Sequence, residues 1–69
     1  MIKERMRELG ITQKELADKL GITRRSVINK LQRKTLFKQT ELRKLKRILW
    51  SGIKIKVTND TIWENENGN

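Results

Sequence analysis

Four side chains within a nine-residue stretch, Arg24, Arg25, Asn29 and Gln32, are of the types that read base edges. Arginine presents two parallel donors that match a guanine edge, and Asn or Gln presents a donor and an acceptor that match adenine. On a helical wheel of about 100° per residue with Val27 at zero, Arg25, Gln32, Asn29 and Arg33 fall at roughly 160°, 140°, 200° and 240°. Leu31 falls at about 40°, so an apolar stripe and a polar, basic face divide the helix between them. No acid interrupts that face. Other chemistry is poorly supplied. The chain has no His and no Cys, hence neither the usual general base nor a thiol nucleophile. Zinc would have to be held by carboxylates alone, an unfavourable donor set. No catalytic residue, metal site or cofactor is expected, and the chain is not read as an enzyme.

Charge points the same way. The formal net charge is +9 over 69 residues, and residues 1–50 carry +10 of it against −1 for residues 51–69. Within residues 24–47 ten Lys and Arg face one acid, Glu41. A block of that kind attracts polyanions: DNA, RNA or an anionic membrane surface. A solvated face kept charged for solubility is the alternative, although solubility does not require a single sign of charge. Two Trp, one Phe and no Tyr are a poor supply of stacking platforms for single strands. No stretch of 18 apolar residues and no apolar run after the first residues occur, so neither a membrane span nor a signal peptide is expected. The expected compartment is the cytoplasm, in association with the nucleoid.

Three short helices can be placed by their punctuation. Ile2, Met6 and Leu9 recur at helical spacing up to Gly10, a natural stop. Thr12-Gln13-Lys14-Glu15 has the spacing of a capping box, with Ile11 and Leu16 as a hydrophobic staple around it. Leu16, Ala17 and Leu20 then form an inner face that ends at Gly21. Thr23 is the expected cap of the next helix, with Val27 and Leu31 buried. Residues 33–38 form a basic connection in which Leu36 and Phe37 are expected core plugs. A fourth helix over roughly 39–50 turns Leu42, Leu45, Ile48 and Leu49 inward, and Trp50 closes the bundle.

Two capped helices joined by Leu20-Gly21-Ile22 form a helix-turn-helix pattern. The run from Thr12 to Val27 resembles the Cro/repressor-type (XRE-like) DNA-binding family, phage-type members included. The matching positions are Thr12, Gln13, Leu16, Ala17, Leu20, Gly21, Thr23, Ser26 and Val27, and the resemblance covers roughly residues 1–50. It implies base contacts from Arg24, Arg25 and Asn29 on a recognition helix in the major groove. It also implies phosphate contacts from Gln13 and Gln32, to which the basic flank adds Thr23, Arg33, Lys34 and Lys38. Ala17 would sit where the two helices cross closely. Arg33 stands where many relatives have glycine, and relatives usually continue with a fifth helix after position 50.

Here the pattern changes. From Ile53 to Thr58 apolar and polar residues alternate, and Asn59-Asp60 has the length of a hairpin turn. A β-hairpin over residues 51–63 is therefore expected, with Thr58 opposite Thr61, Val57 opposite Ile62 and Lys56 opposite Trp63. Residues 64–69 are expected to be a disordered tail. The fold class is mainly α: a four-helix Cro/repressor-like helix-turn-helix bundle, residues 1–50, with a C-terminal β-hairpin. The function expected is sequence-specific double-stranded DNA binding by a transcriptional regulator. It would act as a homodimer on a pseudo-palindromic operator, with the hairpin as a possible dimerisation element and with no small-molecule effector. The alternative is a small phage protein–protein module that modulates a partner repressor.

Overall fold

A computed structural model describes residues 1–63. Four helices follow one another in the expected order: α1 (Ile2–Leu9), α2 (Gln13–Leu20), α3 (Arg24–Leu31) and α4 (Gln39–Leu49). Each begins and ends for local reasons. The Thr12 hydroxyl accepts from the Glu15 N–H at 3.1 Å while the Glu15 carboxylate accepts from the Thr12 N–H at 2.9 Å. Thr23 accepts from the Ser26 N–H at 3.1 Å in the same manner. These caps satisfy donors that the first helical turn leaves over.

The first three helices all stop in one way. At Gly10, Gly21 and Arg33 the chain turns to positive φ. The N–H of that residue and of the next fold back onto carbonyls three and five residues earlier, as in Arg33 to Lys30 (3.1 Å) and Lys34 to Asn29 (2.9 Å). This is the Schellman arrangement, in which glycine avoids the Cβ clash that other residues meet. Glycine meets that demand at Gly21, which allows α3 to begin only a few residues after α2 ends. Arg33 adopts φ +64° in the same role, so the absence of glycine there neither lengthens α3 nor changes its stop. A left-handed residue with a Cβ costs about 1 kcal/mol. Arg33→Gly is therefore expected to raise stability by about that amount, an increase of about 4–8 °C in Tm. Urea and thermal melts check it; an unchanged or lowered Tm would mean that the arginine side chain repays the backbone cost.

The core is built where the apolar stripes meet. Ile2, Leu16, Val27, Leu45, Leu49 and Ile62 are fully enclosed, and α2 packs against both α3 and α4, with α1 against α4. Ala17 is buried on α2, where its small size suits a close approach. The Arg5 Nε donates to the Leu49 carbonyl at 2.6 Å and so caps the open C-terminal end of α4 with a cation, which also suits the helix dipole. Phe37 and Trp50 are core residues as expected. Leu36 is not: it is 68% exposed. In the extended connection its side chain and that of Phe37 point to opposite sides, and only one can enter the core.

The C-terminal segment corrects the sequence reading. Among the described residues there is no strand, so the expected β-hairpin over 51–63 is absent and cannot serve as a dimerisation element. Residues 54–58 run without a pairing strand, and Thr61–Trp63 form a single 3₁₀ turn. The reason is local hydrogen bonding. The Thr58 hydroxyl accepts from the N–H groups of Asp60 (3.3 Å) and Thr61 (3.1 Å), and the Thr58 carbonyl accepts from the Ile62 N–H (3.1 Å). A threonine hydroxyl that gathers the next two or three N–H groups starts a helical turn, whereas a two-residue hairpin favours glycine in its turn. The apolar alternation still marks a buried side. Ile62 is fully enclosed, with Ile55 and Val57 packed against the core. The segment is a lid on its own bundle, and the folded unit extends past residue 50. The tail expected at 64–69 lies outside the described residues.

Candidate nucleic-acid interface

The expected base readers sit on α3. Arg24 and Arg25 occupy its first turn and are exposed; Asn29 follows, half-buried, and Gln32 is exposed at the C-terminal end. Val27, Lys30 and Leu31 face inward, so the inner side is consumed by packing and the opposite side remains open. Thr23 is exposed, but its hydroxyl is engaged, accepting from the Ser26 N–H and donating to the Ser26 hydroxyl at 3.1 Å. Any anion held there would meet backbone N–H groups of the first turn rather than this side chain.

Gln13 is the first residue of α2 and half-buried. It lines a shallow cleft with Lys3 and Arg7 of α1 and with Leu31 of α3. Lys3 and Arg7 are further cations of this face that sequence reasoning missed, and nothing in their local pattern distinguishes them from ordinary surface charge. Arg33 adds to the positive field on this side. Burial holds the Met1 amino group below its ordinary pKa, and Arg33 and Lys3 push it further down against the opposing effect of Glu4. The Glu15 carboxyl, at the cap of α2, is held below its ordinary range by the Thr12 N–H and hydroxyl. It therefore stays ionised and bonded at neutral pH.

The connection after α3 carries exposed Arg33 and Lys34, and exposed Lys38 stands at the entrance to α4. Its backbone is tied by side chains from three elements. Lys30 of α3 donates from Nζ to the Leu36 carbonyl at 3.0 Å. Asn59 of the C-terminal segment accepts from the Phe37 N–H and donates to the Phe37 carbonyl, both at 2.9 Å. Glu41 of α4 accepts from the Lys38 N–H at 2.8 Å. Lys30 and Glu41 also form an ion pair at 3.4 Å, nearly closed to solvent, with the ammonium 5.8 Å from the centre of the Phe37 ring. The sole acid between residues 24 and 47 is thereby buried and paired, which leaves the exterior of this stretch cationic throughout.

The sequence held a signal for that pair. Lys30 falls at about 300° on the α3 wheel, inside the buried arc, and a buried ammonium requires a partner. Glu41 is the one acid within the basic block.

A family model for the helix-turn-helix matches residues 2–49, which is most of the chain and includes α1 to α4. This chain belongs to the helix-turn-helix family. A curated relative, an uncharacterized HTH-type transcriptional regulator of Methanothermobacter thermautotrophicus, is 50% identical over 28 residues. That match spans 41% of this chain and 41% of the relative. No solved structure gives a significant match. Asn59 and Ile62, which complete the helix-turn-helix bundle here, lie beyond the matched residues. Among the described residues no helix is long and apolar enough to cross a membrane.

Proposed function

We propose that this helix-turn-helix protein is a sequence-specific double-stranded DNA-binding transcriptional regulator with α3 as its recognition helix. The observation that carries the reading is the outer face of α3. Arg24, Arg25, Asn29 and Gln32 lie on it, and the only acid of the surrounding stretch is withdrawn into the core by Lys30. Arg24, Arg25 and Asn29 read base edges in the major groove, which is where the first turns of a recognition helix reach. Gln13, Thr23 (through its backbone), Gln32, Arg33, Lys34 and Lys38 hold phosphates and set the register. Affinity then comes mainly from phosphate neutralisation, and specificity from three side chains.

Three readers distinguish only a few base pairs, too few to single out a site among the ~10⁶–10⁹ alternatives in a genome. The regulator accordingly acts as two copies on a pseudo-palindromic operator, with half-sites about one helical turn apart. Occupancy of such a site would exclude polymerase from an overlapping promoter. The experiment is selection of binding sites from random duplexes, followed by a salt titration on the selected site and on a scrambled one. Enrichment of a repeated half-site is the result expected; equal affinity for every duplex would overturn sequence specificity. Within that assay Arg25→Ala should cost about 1–3 kcal/mol on the selected site and relax preference at one base pair. An equal loss on scrambled DNA would make Arg25 a phosphate-binding residue instead.

A further inference from the structure

The connection between α3 and α4 has no regular structure, yet three successive residues in it are each held by a side chain from elsewhere. Lys30 holds the Leu36 carbonyl, Asn59 holds both backbone groups of Phe37, and Glu41 holds the Lys38 N–H. Asn59 differs from the other two. Lys30 and Glu41 belong to the helices that flank the connection, whereas Asn59 arrives from 22 residues away in the chain. Its carboxamide closes a two-bond ring on one residue, the geometry by which a strand partner would fix it. The turn that carries Asn59 is itself locked by Thr58 and Thr61, whose hydroxyls lie 3.2 Å apart, and by the burial of Ile62.

We infer that Asn59 is a positioning residue of the DNA interface, fixing the backbone of residues 36–38 so that Lys34 and Lys38 are presented to phosphates before DNA arrives. This rests on the DNA-binding reading above. A flexible lysine-bearing connection would have to be ordered at the moment of binding, and that entropy would be subtracted from affinity. Held in advance by Asn59, the connection binds without that loss. The side chain makes its bonds to protein backbone and carries no charge, so its influence on DNA would pass wholly through the loop.

The test compares the full chain with its Asn59→Ala variant, at a temperature where circular dichroism shows both folded. Asn59→Ala should weaken binding to selected and scrambled duplexes alike, by about tenfold at physiological salt. It should also reduce the slope of log K against log salt by about 1–2, one for each phosphate no longer neutralised. The ratio between the two duplexes should not change. A residue that merely stabilised the fold would lower Tm and leave both slope and affinity of the folded protein as they were; that result overturns the inference. A second measurement needs no variant. In the free wild-type protein the Phe37 amide should exchange with solvent as slowly as the interior amides of α4, and exchange at an unprotected rate would equally overturn it. If the wild-type chain binds no duplex even at low salt, the DNA reading fails and this role with it. Wild-type binding with an unaltered slope in Asn59→Ala removes this role alone.

Discussion

Glu41→Leu is expected to destabilise the domain by about 3 kcal/mol, the cost of leaving a buried ammonium without its counter-ion. Lys30 and Glu41 are 8% and 6% exposed, so little solvent is available to take over from the missing partner. Glu41 also accepts the Lys38 N–H, and the substitution orphans that donor as well. A domain of this size holds about 3–10 kcal/mol in all, so the loss is a large share and corresponds to a fall in Tm of about 12–24 °C. Lys30→Met should behave similarly, since it strands the carboxylate. The double variant Lys30→Met with Glu41→Leu removes both charges and should recover most of the stability, because apolar replacement of a whole buried pair is often neutral or better. Thermal melts of the two single variants and the double variant form a complete cycle. Additive losses would show that the two groups are not energetically coupled and that the ion pair at 3.4 Å contributes nothing of its own.

Ending the chain at Ser51 is expected to unfold it at 37 °C. Ile62 is fully enclosed, and Ile55 and Val57 pack on the same core. Removing a buried side chain of the size of isoleucine costs about 2–5 kcal/mol, and Phe37 would lose both of its backbone bonds to Asn59. The milder variant Ile62→Ala keeps the segment and should cost about 2–4 kcal/mol by leaving a cavity. Circular dichroism with urea titration measures both. A truncated chain with wild-type Tm would make residues 52–63 an appendage and would contradict the burial of Ile62. The family match ends at residue 49, so such a truncation is one that a sequence comparison alone would invite.

The helices were legible because their boundaries are made of neighbours. Thr12 with Glu15, Thr23 with Ser26, and the glycines at 10 and 21 act within a few residues, and residue order reveals such pairings. The basic face of α3 was legible for the same reason, as one helix and one wheel. The connection was less so. Adjacent apolar residues at Leu36 and Phe37 do not say which points inward, and the choice is made by Lys30 and Asn59, 6 and 22 residues distant. The C-terminal segment misled because alternation reports one buried side and nothing about pairing. Ile55, Val57 and Ile62 do bury toward the core, yet Thr58 turns the backbone before any return strand can form. Arg33 shows the converse: a residue unsuited to positive φ still adopts it, because the two backfolding hydrogen bonds that end α3 require that turn.

The dependence of the helices on Asn59 and Ile62 also bears on how the protein comes into being at the ribosome. Helices form within about a microsecond, while synthesis adds about 5–20 residues per second. The stretch from Trp50 to Ile62 thus takes on the order of a second to appear. During that interval all four helices have been made, but Phe37 lacks its partner and the core its last plug. Commitment to the native state is therefore deferred until residue 62 is free to dock. A nascent chain stalled before that point would display a recognition helix on a body not yet able to hold it.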